Sequence, residues 1–186
     1  MTTKNVTVRE FIQKYLIVQI GEIKNNHPYF AFLLMAVGIE FLGKCQTNFD
    51  WDDSKEKIKP YENFENGLQL GPLKKYANIK GLYDKLRNGL AHALLIKQGI
   101  KVSQGDAPNA LNSDTFYADF KEACESVLNA KDNGCGKIMT ADCIEIKKNL
   151  DATFFTITGG TNQKDELFSM TAITQSNSAQ QTNNKS

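Results

Sequence analysis

Apolar residues at helical spacing predict two helices in the first quarter of the chain. Thr7 and Glu10 form a capping-box pattern, from which a first helix is expected to run to about Asn25. A tight turn follows, and Pro28 suits the first position of a second helix, over about 28–44. This second helix is apolar almost all round, so we expect it in the middle of a helical bundle. His27 is interpreted as a residue of the turn.

The segment from 46 to 78 has a weaker pattern. A short helix capped by Asp53 or Ser54 is expected to run to Ile58, and Pro60 is expected to end it. Gly67, Gly71 and Pro72 mark turns, and the residues at 73–76 are expected to form one more helical turn.

Two further helices are predicted in the second half of the chain. The range 79–97 carries apolar residues at helical spacing, and Gly99 suits the position just after its end. The next helix begins at a cap on Ser113 or Asp114. One side of it is apolar, at Phe116, Phe120, Ala123, Cys124, Val127 and Leu128.

The remaining segments favour turns and short strands. Alternation predicts a strand at 100–103, followed by a loop over 104–112, and 131–137 is expected to be a turn. Residues 140–150 fit either a last helix or a strand at 143–146. Residues 154–158 read as a strand that could pair with 100–103.

The fold class expected from these elements is mainly α, an antiparallel bundle of four to five helices with a small β-ribbon at one end. We expect a helical domain over 1–158 and a polar tail over 159–186. Residues 175–186 are rich in Asn, Gln, Ser and Thr, a composition typical of disorder.

Charge and hydropathy limit the partners and the location that we expect for the protein. The net charge is +1, so no large basic field can hold duplex nucleic acid non-specifically, and any RNA contact must be local or assembled across subunits. Residues 1–10 are polar, which predicts no signal peptide. The longest apolar run, 29–42, is too short to span a bilayer and contains Glu40. We therefore expect a cytoplasmic protein with no membrane partner.

The four cysteines, Cys45, Cys124, Cys135 and Cys143, have no paired close spacing and no neighbouring histidine. This argues against a zinc site and favours free thiols, although two disulfides remain possible in principle. No metal and no cofactor is expected.

The helix predicted at 79–97 has a second face that is not simply polar. Its buried stripe is expected at Ile79, Leu82, Tyr83, Leu86, Leu90 and Leu94. On an α-helical wheel Arg87 and His92 lie about 140° apart, at the two rims of the remaining face. Between them lie Asp84, Asn88, Ala91 and Leu95. Such a face suggests a contact surface, including one with a second copy of the chain.

The residues Arg87-Asn88-Gly89-Leu90-Ala91-His92 resemble the motif of the HEPN superfamily: an Arg, usually followed by a polar residue, and a His four to six residues after the Arg. The resemblance implies an all-helical fold and, for many members, a metal-independent ribonuclease that acts as a dimer. It also implies partners: single-stranded or tRNA-like RNA, a second copy through helix 79–97, and a protein antitoxin in a toxin–antitoxin or defence system.

The chemistry of the motif residues fits that reaction. His92 has a pKa range suited to proton transfer near neutral pH. Arg87 can hold two phosphate oxygens with its planar fork, and Asn88, four residues before His92, could orient the ring or bind phosphate. Cleavage by the 2′-hydroxyl would leave a 2′,3′-cyclic phosphate.

Glu40 and Asp84 are candidate supporting residues. Glu40 lies on a helix expected to be buried, so it either reaches solvent, pairs with a surface lysine, or pairs with Arg87 and orients it. Arg87 could also simply pair with Asp84. Whether the protein is an enzyme stays open: the alternative to the ribonuclease is a non-catalytic HEPN-like module that binds RNA, nucleotide or protein.

Overall fold

The structure is a computed structural model that describes residues 2–48, 59–89, 100–105, 107–108, 110–159 and 169–172. It is mainly helical, with small β-sheets. Within these residues no helix is both long and apolar enough to cross a lipid bilayer.

The first helical segment runs without interruption from Val8 to Asn26, as α1 (Val8–Phe11), a π-helix (Ile12–Gln19) and α2 (Ile20–Asn26). The predicted capping box is confirmed. The backbone N–H of Glu10 donates to Thr7 Oγ1 at 3.1 Å, and the Thr7 N–H donates to Glu10 Oε2 at 3.0 Å. Two of the N–H groups that a helix start leaves without partners are thereby satisfied.

The second predicted helix is confirmed as α3 (Pro28–Lys44), with Pro28 in its first turn. Most of its apolar residues lie in the core, and Met35, Ile39 and Leu42 are fully buried. The helix is nevertheless not enclosed all round. Phe30 and Val37 are 51% and 43% exposed, so one face of α3 lies open to solvent among the described residues.

Pro60 begins a helix, which the sequence did not predict for this proline. It starts α4 (Pro60–Gly67), where its missing N–H costs no hydrogen bond. The predicted turn at 73–76 is confirmed within a 3₁₀-helix (Gly71–Tyr76). The short helix expected to end at Ile58 lies outside the described residues.

Close approach fixes the packing of α3 against α4. A Cβ atom added to Gly43 would lie 1.7 Å from the backbone oxygen of Asn63, and one added to Gly67 would lie 2.0 Å from that of Ile39. Only glycine permits backbones this near to each other. The two glycines therefore set the distance between the helices that carry Glu40 and the aromatic residues of α4.

The helix predicted from residue 79 begins later, because Ile79, Lys80 and Gly81 form turns and Gly81 has a φ of +71°. A second π-helix (Tyr83–Asn88) follows Leu82. Leu82 and Leu86 are buried as predicted, and Ile79 and Tyr83 pack against the core. Residues 90–99 lie outside the described residues.

The helix predicted from a cap at Ser113 or Asp114 is confirmed as α5 (Ser113–Leu128), and its predicted apolar side lies in or against the core. Its cap is Asn112, not Ser113 or Asp114: Asn112 Oδ1 accepts the N–H groups of Asp114 at 2.9 Å and Thr115 at 3.0 Å. α5 packs on α3, and the largest fully buried side chains of the described core are Ile12, Phe32, Met35, Ile39, Leu42, Phe64, Leu70, Leu73, Leu86, Phe116 and Phe120.

The described strands are β1 (Thr2–Thr7), β2 (Lys101–Ser103), β3 (Ala110–Asn112), β4 (Lys131–Asp132), β5 (Ile138–Met139), β6 (Thr153–Gly159) and β7 (Ser169–Ala172). The strands expected at 100–103 and 154–158 are present, but they do not pair with each other. β6 pairs antiparallel with β1 and β7. β2 pairs parallel with β3, which lies inside the loop expected over 104–112.

The C-terminal part of the structure bears on two further predictions, the element at 140–150 and the start of the polar tail. Residues 140–150 form neither the helix nor the strand considered for them, and Glu145 makes only an isolated antiparallel bridge to Met139. Strand β7 lies within the tail expected from residue 159, and it pairs with β6. The domain boundary at 158 stays a prediction, and residues 175–186 lie outside the described part.

Candidate functional site

Arg87 and Glu40 form an ion pair between the second π-helix and α3. The Nε–H of Arg87 donates to Glu40 Oε2 at 2.8 Å, and the two side chains are only 22% and 20% exposed. Leu86 and Ile39, the residues directly before them, are fully buried and anchor the two helices against each other. Of the alternatives considered for Glu40, the structure shows the pairing with Arg87.

Burial governs the electrostatics of Glu40. Loss of solvent raises the pKa of this carboxyl above its usual value, while Arg87 and Lys44 oppose that rise without cancelling it. A carboxylate in such a place needs its cation, because desolvation penalises the charged form. Glu40 therefore fixes the guanidinium of Arg87, and Arg87 keeps Glu40 ionised more easily than burial alone would allow.

Asn88 and Asp84 extend this pair into a chain of contacts. Arg87 Nη1 donates to Asn88 Oδ1 at 3.3 Å, and Asn88 Nδ2 donates to Asp84 Oδ1 at 3.1 Å. Asp84 thus contacts Asn88, and the direct Arg87–Asp84 pair considered from the sequence is not what the structure describes. Four of the five predicted site residues are brought together: Glu40, Arg87, Asn88 and Asp84.

The π-helical geometry alters how these side chains are spaced. A π-helix bonds each residue to the one five positions away, so it has a wider turn than an α-helix. The wheel of 100° per residue does not describe Tyr83–Asn88. Such helices are rare and are found frequently at functional sites.

Tyr83 is a site residue that the sequence analysis placed only in the core stripe. The guanidinium carbon of Arg87 lies 5.7 Å from the centre of the Tyr83 ring, a cation–π contact. Burial raises the pKa of Tyr83 above its usual value. The signal in the sequence was the spacing of four between Tyr83 and Arg87, which places two side chains on one helical face.

A cleft of about 520 Å³ adjoins this network, and we call it the tyrosine cleft. Its wall includes Tyr83 and Asp84 on one side and Tyr61 and Phe64 of α4 on the other. Pockets of 300–1,000 Å³ are typical for small ligands. The cleft and the guanidinium therefore share Tyr83 as a common boundary.

The fifth predicted site residue, His92, lies outside the described residues, as do Ala91 and Leu95. Its position relative to Arg87 stays a prediction. His27 lies in the turn between α2 and α3, as expected, and its ring meets the edge of Phe30 at a centroid distance of 6.4 Å.

The chemistry available in the described part of the chain is anion binding by Arg87. Its two hydrogen bonds to described residues use two of the five N–H groups of a guanidinium, which leaves three for a ligand such as phosphate. Among those residues no group of three or more His, Cys, Asp or Glu side chains is arranged to hold a metal ion. The four cysteines are free thiols.

Comparisons of the chain with protein-family models, with curated proteins and with solved structures gave no match. The resemblance to the HEPN superfamily therefore stays a prediction from the motif residues Arg87 to His92.

Proposed function

We propose that this protein is a HEPN-like, metal-independent endoribonuclease that acts in the cytoplasm as a dimer of antiparallel helical bundles. The observation that carries the proposal is the ion pair of Arg87 with Glu40. A partly buried arginine held at Nε keeps its outer N–H groups together as a fork, and such a fork matches two oxygens of a phosphodiester.

The reaction assigned to the site is transfer of the phosphoryl group within the RNA. The 2′-oxygen attacks phosphorus while a base takes its proton, and an acid gives a proton to the departing 5′-oxygen. The products are a 2′,3′-cyclic phosphate and a 5′-hydroxyl end, so no redox step and no further reactant is needed. Arg87 stabilises the negative charge that develops on the phosphoryl oxygens.

His92 is assigned the proton transfers, and its charge change near neutral pH suits them. One imidazole cannot easily take one proton and give another on opposite sides of the phosphorus in a single step, so we assign the two transfers to two copies, packed through their helices over 79–97. Asn88, four residues before His92, orients the ring or binds phosphate, while Glu40 and Asp84 support Arg87 and Asn88. In this proposal the RNA is single-stranded or tRNA-like, and a protein antitoxin restrains the enzyme in a toxin–antitoxin or defence system.

The test uses purified protein, a mixture of single-stranded RNA and tRNA, and an excess of chelator. We expect cleavage that persists with the chelator, products that end in a 2′,3′-cyclic phosphate, and a solution mass of two chains. Arg87→Ala and His92→Ala each abolish cleavage.

Matched controls come from the rest of the chain, which has one other arginine and one other histidine. Arg9→Ala and His27→Ala should retain cleavage, because Arg9 pairs with Asp151 and His27 lies in a turn. Circular dichroism verifies that each variant is folded. Cleavage retained by Arg87→Ala or His92→Ala would exclude the mechanism. Saturable RNA binding without any product would instead identify a non-catalytic binding module.

A further inference from the structure

The tyrosine cleft lies between α4 and the start of the second π-helix. Tyr61 and Phe64 come from α4, and Tyr83 faces them from the π-helix. The ring centres of Tyr61 and Tyr83 are 6.4 Å apart at an angle of 64°, and those of Phe64 and Tyr83 are 5.4 Å apart at 63°. Phe64 is buried and holds Tyr83 in place, while Tyr61 is 39% exposed at the mouth.

This arrangement suits a flat, aromatic ligand. A ring inserted beside Tyr61 can stack on one tyrosine and meet the edge of the other, and both geometries are favourable. Stacking on an aromatic side chain is also the usual way in which proteins hold an unpaired nucleobase.

The charges in and around the cleft favour a ligand whose uncharged part enters the cleft and whose anionic part stays outside it. Glu65 and Asp84 line the cleft and would repel a phosphate inside it. One cation, Lys80, also lines the cleft, at an exposed position, so the charged lining residues carry a net negative charge. Arg87 is not part of the lining and lies behind Tyr83. A nucleotide can satisfy both conditions with its base in the cleft and its phosphate against Arg87.

We propose that the tyrosine cleft holds the base of the nucleotide next to the phosphodiester that Arg87 binds. The inference rests on the proposed ribonuclease function, and it gives the substrate a definite requirement: one unpaired base, adjacent to the cut, that leaves its stack and enters the tyrosine cleft beside Tyr61. Paired RNA of the same sequence cannot meet this requirement without opening.

The test measures binding and cleavage of a short single-stranded RNA with one cleavage site. A series of oligonucleotides carries an abasic ribose at each position in turn. Binding is measured in the His92→Ala protein, which keeps the RNA intact, and cleavage is measured in the unmodified protein. We expect an abasic ribose at one position next to the cut to weaken binding about tenfold, and the other positions to have smaller effects.

Variants of Tyr61 test whether the base at the sensitive position of the RNA occupies the tyrosine cleft. Tyr61→Ala, in the same His92→Ala background, should weaken binding of the complete RNA about tenfold and remove the difference between complete and abasic RNA, while Tyr61→Phe should preserve it. Tyr15→Ala is the control, since the Tyr15 ring stacks on Phe11 in a different groove. It should leave the abasic effect unchanged.

The outcomes separate this inference from the proposed function. Cleavage without a position-specific abasic effect, or an effect that survives Tyr61→Ala, overturns the base subsite alone. An abasic effect that depends on Tyr61, in a protein that never cleaves RNA, supports the subsite and overturns the nuclease. Neither cleavage nor RNA binding overturns both.

Discussion

Arg87 and Glu40, 47 residues apart in the sequence, are joined by a 2.8 Å hydrogen bond between Nε and Oε2. The pair connects the helix that carries the motif arginine to α3, which contributes Met35, Ile39 and Leu42 to the core. It also makes the guanidinium part of the packing between those helices. The stability of the fold and the proposed function therefore depend on the same contact. The two effects can be separated by replacing Glu40 in one variant and Arg87 in another.

Replacing Arg87 with methionine should lower the free energy of unfolding at neutral pH by about 1 to 3 kcal/mol, because a partly buried carboxylate loses its cation. Urea unfolding measures the change. The double variant Glu40→Leu/Arg87→Met removes both charges and should recover most of the loss. A double variant as unstable as Arg87→Met would show that the charge on Glu40 is not the cause.

The stability deficit of Arg87→Met should depend on pH. Burial raises the pKa of Glu40 and Arg87 opposes the rise, so removing Arg87 raises it further. The folded state then holds the Glu40 proton more tightly than the unfolded chain, and stability falls as pH rises between the two pKa values. The deficit should be small below about pH 4.3, the ordinary pKa of glutamate, and grow toward pH 7. A deficit that is largest in acid would contradict this account.

Gly43→Ala should destabilise the fold by about 3 kcal/mol, because its Cβ would overlap the backbone of α4 at Asn63. For a chain of this size the melting temperature should fall by about 6 to 12 °C. Gly105→Ala is the matched control, since a Cβ there meets nothing within 4 Å. Equal melting temperatures for the two variants would contradict the close approach of α3 and α4.

Two of the four thiols should react quickly with a thiol reagent in the folded protein. Cys135 and Cys143 are exposed, whereas Cys45 and Cys124 are buried. Burial raises the pKa of Cys45 to about 12, and the pKa of Cys124 is also raised. Because the thiolate is the reactive form, these two should react only after unfolding. Titration in buffer and in denaturant counts each class, and three or more fast thiols in buffer would disprove the assignment.

Local signals explain which elements the sequence could predict. The capping box at Thr7 and the proline at position 28 act within one helical turn, and both helices begin where these residues indicate. Pro60 gave an ambiguous signal, because proline is compatible both with the residue after a helix and with its first turn. Three consecutive residues, Asn112, Ser113 and Asp114, are all good caps, and only the observed hydrogen bonds distinguish them.

The features that the sequence did not predict depend on contacts between distant parts of the chain. Strand β1 is polar and rich in threonine, and only its partner β6 makes it a strand. The Glu40–Arg87 pair was one of several alternatives, because a sequence gives the spacing of residues on one helix but not the rotation of one helix against another. The tyrosine cleft combines residues from α4 and the π-helix for the same reason.

The pairing of β1 with β6 bears on how the chain folds during synthesis. Thr7 is in register with Thr153, so the first strand can be paired only after roughly 150 more residues have been translated, about 7 to 30 s at ordinary ribosome speeds. During that interval the polar segment 2–7 lacks the partner that makes it a strand, so this part of the sheet forms late in synthesis, after the first helical segment has been translated.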